Sequence, residues 1–224
     1  MESHGGAILH IGPIGVTSAM VTMSAITLGL CLFAILSTRH LTERPGKAQN
    51  VAEKVVEMLL NFLTGIIGRE NARAFLPFLG TMFLFILISN YSGILPLAGR
   101  IPGLAAPTSS LSITAALATC TFLYTHYVGI KRHGKHYIQH FTKPIIFMFP
   151  ILLMEAFIRP LSLTLRLYGN IYGEEAVTME IANLAPMIAP LALNALSLLL
   201  GFVQAMVFVM LSCVYISEAA GAAH

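Results

Sequence analysis

The sequence predicts an all-α integral membrane protein with about five membrane-embedded helices and one amphipathic surface helix, its last two long helices forming a tilted hairpin. Three observations support this class. Of 224 residues, 56% are hydrophobic and only 10% charged, with a mean hydropathy of +0.79, whereas a soluble domain carries about 25% charged residues. The apolar residues gather into runs of roughly 20 or more, enough to cross a ~30 Å hydrocarbon core. The Lys and Arg residues gather between those runs, six within 39–73 and four within 131–143. The chain reads as one membrane domain over 1–224, with little length left for a soluble one.

The first apolar run, 11–37, is expected to be a transmembrane helix. MESHGGAILH ahead of it has no Lys or Arg, which makes a poor signal-peptide start, so this span is expected to be retained. Over 46–69, Val51, Val55, Leu59, Phe62 and Ile66 recur at helical spacing, while Asn50, Glu53, Lys54, Glu57 and Asn61 fill the opposite face. Such a helix is too polar to span and suits the membrane surface. Two middle transmembrane helices follow at 75–97 and 109–130, separated by a loop with Pro102, Gly103 and Pro107. After the basic loop 131–143, two apolar segments at 144–183 and 187–217 are each longer than one perpendicular crossing needs. Steep tilting or a partly in-plane course would accommodate them.

The positive-inside rule places 39–73 and 131–143 in the cytoplasm, with the N-terminus outside and, after five crossings, the C-terminus inside. Cys31, Cys120 and Cys213 each stand alone in apolar segments, so they read as small packing residues rather than metal ligands. No cofactor or metal site is expected. A formal charge of +3 gives no support for nucleic-acid binding. The absence of GxxxxGK[ST] leaves no phosphate-binding loop for nucleotide chemistry.

Against this apolar background, RPLSLTLRLYGNIYGEE at 159–175 is conspicuous. Glu155, Arg159, Ser162, Arg166, Asn170 and Glu174 follow one another at steps of three or four, placing them near one helical face. Asn194, Ser197, Gly201 and Gln204 repeat the pattern in the last segment. Ser, Asn and Gln in membrane helices commonly serve only to hydrogen-bond neighbouring helices. Glu155 and Arg159 can pair with each other at i, i+4, or Arg159 can snorkel to the surface, and Pro160 interrupts the stripe at this end. Arg166 is different. Its burial mid-membrane costs at least ~2.5–3.5 kcal/mol, and it cannot escape by losing its proton. Glu174 and Glu175 are two or more turns away, so a partner outside the chain is expected.

PLSLTLRLYGNIYGEE (160–175) resembles the Pro-x-Ser-Leu-x-x-Arg-Leu-x-x-Asn signature of the subunit a family of rotary ATP synthases, in the membrane (Fo) sector. GFVQAMVFVMLSCVYISEA (201–219) is similar to that family's final helix with its Gln, and FLPFLGTMFLFILISNYSGILP and PTSSLSITAALA resemble its middle helices. Together these stretches cover most of 75–220. The resemblance implies a stator subunit guiding protons through two half-channels to and from a carboxylate on a rotating c-ring. Arg166 would be the essential stator arginine, with Asn170, Glu175 and Gln204 matching polar positions along the ion path; Glu174, at a neighbouring position that varies in the family, joins Glu175 as a candidate for proton exchange. Ser162, Asn194, Ser197, Ser110 and Glu155 are secondary candidates. The sequence departs from the family pattern at Ser110 and Ser112, where many relatives carry Asp and Asn, and at Ser197, where some carry His.

The implied partners are the c-ring, peripheral-stalk (b-type) subunits, the rest of the ATP synthase and the lipid membrane. The implied location is a bacterial plasma membrane, or the energy-transducing membrane of an organelle. Nucleotide chemistry would belong to other subunits, so the chain alone is not expected to be an enzyme. The alternative is a secondary transporter or channel subunit using Arg166 to bind an anionic substrate. A membrane scaffold whose stripes only join helices is a third reading.

Overall fold

A computed structural model describes residues 7–11, 14–39, 46–94, 105–134, 149–184 and 189–221. Among these, six α-helices account for nearly the whole architecture: α1 (Ser18–Thr38), α2 (Lys47–Ile67), α3 (Arg69–Ile94), α4 (Leu111–His133), α5 (Phe149–Leu184) and α6 (Ala189–Ala219). A 3-10 turn at Pro107–Ser109 leads into α4. The all-α membrane class is therefore what the molecule adopts, with one small exception. Two short strands, Ala7–Ile11 and Ile14–Thr17, partly included in the expected first helix, pair antiparallel. Gly12-Pro13 is a turn dipeptide, and Pro13 and Gly15 disfavour a helix here, so α1 begins only at Ser18.

α1, α3, α4 and the Leu193–Ala219 portion of α6 are long and apolar enough to cross a membrane. The 36-residue α5 carries six charged residues, which separates it from that set. At 1.5 Å per residue it extends about 54 Å, well beyond a ~30 Å core. α1 exposes Leu28, Leu32, Ile35 and Leu36. Its Thr22, Ser24, Thr27 and Thr38 hydroxyls donate to carbonyls one turn back, at 2.7–3.1 Å. Hydroxyls satisfied within their own helix are compatible with an apolar surround.

α3 is the central element. On one side α2 lays Leu59 and Leu63 against it, joining a core that includes Ala72, Phe75 and Leu79. Gly68 makes the sharp joint between the two helices with φ +76° and ψ 161°, a conformation that side chains with a Cβ rarely adopt. On its other side α3 meets α6, where Phe83 stands edge-on to Phe202 with ring centroids 6.1 Å apart. Ala205, Phe208, Val209 and Ile216 continue that core along α6. α4 stacks Tyr124 on Phe78 of α3 at 4.0 Å between centroids. Cys213 is buried in the core, but Cys31 and Cys120 are exposed on the outer faces of their helices, contrary to a packing role for all three.

The bundle has two distinguishable ends. At one, Thr22 of α1 accepts the Ala105 amide at 3.2 Å, and the C-terminal end of α3 meets the 3-10 turn through Gly93 and Ala106. At the other, Arg132 of α4 donates to Asn71 of α3 at 2.9 Å, and His133 lies against Gly221 just beyond α6. Arg69, Arg73, Lys131 and Arg132 all belong to this second end. Residues 135–143, the remainder of the basic loop, and Arg100 of the opposite loop lie outside the described residues.

Candidate functional site

α5 runs through Pro160 without ending. Leu163, Leu167 and Ile171, spaced by four, are buried at 0–5% exposure and fix which way the helix is turned. Thr164 donates to the Pro160 carbonyl at 2.8 Å. With that face committed to the core, Leu161, Leu165, Tyr172 and Arg166 remain exposed. Arg166 makes no hydrogen bond or ion pair with any described residue. It stands on an apolar, outward-facing surface with no compensating charge among the described residues.

One turn along, Asn170 donates through Nδ2 to Gln204 Oε1 on α6 at 2.6 Å. Gln204 is 5% exposed, and its Nε2 has no partner. Another turn along, Glu174 lies beside the buried Ser197 of α6. The two polar stripes therefore meet along the α5–α6 interface.

Glu175 reaches a different neighbour. Its Oε1 lies 3.5 Å from where a Cβ on Gly93 would stand, and that Cβ would be only 2.9 Å from Ala106 Cβ. Any side chain at 93 would thus push on the 3-10 turn beside the carboxylate. Ser109 of that turn lies beside Glu175, its hydroxyl donating to the Ala106 carbonyl at 2.9 Å. Nearby on α3, the buried Asn90 donates to the Gly201 carbonyl at 2.9 Å. A Cβ on Gly201 would sit 3.2 Å from Asn90 Cβ, so glycine permits this close approach of α3 and α6. Ser89 Oγ, Asn90 Oδ1 and Thr108 Oγ1 are buried without a protein partner. Each such atom costs about 1–3 kcal/mol unless water satisfies it; Ser89 and Asn90 are on α3 within one turn of Gly93, and Thr108 precedes Ser109 in the 3-10 turn.

Toward the Arg/Lys-bearing end, Arg159 forms an ion pair with Glu218 of α6 and lies over the Tyr215 ring at 4.9 Å from its centroid. His126 of α4 is close enough to feel its charge. Arg159 thus pairs across to α6, a partner named by neither the i, i+4 pairing with Glu155 nor snorkelling. Glu155 is on α5, but its side chain lies outside the described residues. Ser162 and Asn194 are half-buried and make no hydrogen bond to a described side chain. Ser110 precedes α4 without capping it through its side chain, and Ser112 is exposed. Ser109, not Ser110, contacts Glu175.

Four contributors escaped the reading of the sequence: Asn90, Gly93, Ser109 and Glu218. The run SNYSG at 89–93 was the available signal for the first two, polar and small residues inside an apolar helix. Nothing local marked Ser109 or Glu218. Among the described residues, no three His, Cys, Asp or Glu side chains gather where a metal could be held.

Comparison with known proteins adds the context. A family model described as ATP synthase A chain matches residues 19–217. The chain is 39% identical to ATP synthase subunit a of Trichlorobacter lovleyi over 221 residues, covering 97% of this chain and 93% of that one. It is 40% identical over 222 residues to ATP synthase subunit a 3 of Pelobacter propionicus, with the same coverage. It is 39% identical to ATP synthase subunit a of Moorella thermoacetica over 212 residues, covering 94% of each.

Proposed function

The chain belongs to the ATP synthase A chain family, and from that premise we propose that Arg166 is the fixed cation past which ring carboxylates move. The protein is a proton-channel stator component of the Fo sector, associated with the rest of the ATP synthase. It translocates protons and is not itself the catalytic subunit. It is a membrane protein. The anionic-substrate transporter and the scaffold are not favoured.

The observation that carries the site assignment is Arg166 itself, exposed on an apolar face and unpaired among the described residues. A guanidinium in a membrane is costly unless an anion meets it. A c-ring carboxylate supplies that anion. Beside Arg166 its ionised form is favoured. Away from Arg166, facing lipid, only the protonated form is tolerable, so rotation requires a proton to be taken up or released at the stator. The fixed positive charge also repels a cation attempting to pass directly between the two access routes.

Glu175 and Glu174 are the exchange groups on one route. The unpartnered buried oxygens of Ser89, Asn90 and Thr108 support water entry there. Asn170 and Gln204, joined by a hydrogen bond, form the polar wall beside Arg166. The positive-inside rule assigns the Arg69, Arg73, Lys131 and Arg132 end to the cytoplasm, which makes the Glu175 side the outer route and the C-terminus cytoplasmic, in a bacterial plasma membrane. The c-ring and the peripheral-stalk subunits are the proposed direct partners, with the tilted α5–α6 hairpin facing the ring.

The test is Arg166→Ala in the whole complex, reconstituted in vesicles. ATP-driven proton pumping is expected to vanish while the complex still assembles. Retained pumping would sink the assignment. Loss of assembly alone would point to a scaffold.

A further inference from the structure

Arg159 and Arg166 are seven residues apart on one continuous helix. Seven residues bring the chain back to within ~20° of the same face, and at 1.5 Å per residue the two lie about 10 Å apart along the axis. The face therefore carries two permanent cations, neither able to discharge. Their surroundings differ. Arg166 has no described partner, whereas Arg159 is held by Glu218 and Tyr215 of α6.

We infer that Glu218 is a masking residue: it neutralises Arg159 so that a mobile carboxylate meets one available guanidinium, Arg166, rather than two. The inference rests on the proposed encounter between Arg166 and a ring carboxylate. A second unmasked cation two turns away would hold that carboxylate ionised at the wrong level and delay its return to lipid. Glu218 is suited to the task because it belongs to α6, the element that also orders Asn170 through Gln204. One helix thus quiets Arg159 and leaves Arg166 free. Tyr215 adds its ring face to the same guanidinium, a favourable site for a cation. His126 of α4 also faces Arg159, but as a group able to carry positive charge it cannot do the masking.

The test uses the complete ATP synthase in inverted vesicles, measuring ATP-driven proton pumping per assembled complex for Glu218→Gln, Arg159→Gln, the double variant and Glu218→Asp. Masking predicts that Glu218→Gln loses roughly tenfold, the scale of one charge-assisted contact. It predicts that Arg159→Gln loses little, that the double variant recovers most of the activity, and that Glu218→Asp stays near wild type. A merely structural clamp gives the opposite pattern: either single variant disables the complex and the double variant is no better. That result would overturn the inference. If Glu218→Gln fails to assemble but the double variant assembles and pumps, masking stands. If neither assembles, it falls. Arg166→Ala in the same vesicles separates the two claims, because pumping retained there removes the ring encounter itself, whatever Glu218 does.

Discussion

Arg159 and Arg166 share a helix, a face and a side chain, yet one is paired with α6 and the other is not. The difference lies entirely in what the neighbouring helix presents. Opposite Arg159, α6 offers a carboxylate and an aromatic ring. In the turn above Arg166 it offers an amide, Gln204, that is already engaged by Asn170. An arginine with a carboxylate in its own chain can hold two helices together. An arginine denied one can bind a carboxylate that comes and goes. The comparison shows how the same residue type becomes fixed structure at one level and an ion-path group two turns away.

Substitutions can break this contrast or sharpen it, and their expected effects fall in a definite order. Arg166→Ala comes first, because no other described residue of α5 supplies an unpaired positive charge, and pumping should fall to background. Glu175→Gln comes next. It keeps the shape against Gly93 and Ser109 but removes the exchangeable proton, and proton pumping is expected to drop about tenfold or more, within the range seen for loss of a positioned acid–base group. Unchanged pumping would remove Glu175 from the path.

Gly201→Leu is a structural test on the same interface. Its Cβ alone would meet Asn90 Cβ at 3.2 Å, so the larger side chain must separate α3 from α6 at a cost of about 1–3 kcal/mol. A lowered Tm of the detergent-solubilised complex would register it. The smallest effect is expected of Asn90→Leu, which removes one interhelical hydrogen bond worth about 0.6 kcal/mol. A stability loss much larger than that would mean Asn90 organises more of the interface than its bond to Gly201.

Much of the helical layout was readable because membrane helices announce themselves through long apolar runs and clustered charges. The polar stripe was readable for the same reason: Ser162, Arg166, Asn170 and Glu174 obey helical spacing, and in an apolar helix any such alignment stands out. What resisted reading were relations between distant segments. Glu218 looked like the polar end of the last span, and only the antiparallel packing of α5 and α6 brings it to Arg159, 59 positions away. Asn90 is a lone amide in an apolar helix, which by itself suggests no more than helix contact. Ile11 and Ile14–Thr17 are strand rather than helix, because their apolar content masks the turn signal of Gly12-Pro13 in the sequence.

The sequence by itself determined that this chain lives in a membrane and that an undischargeable Arg166 sits in its most polar apolar helix. Those conclusions rest on local chemistry, namely composition, periodicity and the cost of a guanidinium in hydrocarbon. The tertiary structure alone decided which arginine is already satisfied, that Glu175 turns toward Gly93 and Ser109 while Glu174 turns toward Ser197, and that Gly201 lets α3 close on α6. The physical reason is range: burial cost is a property of one side chain, whereas a partner is a property of two helices, and only folding brings those together.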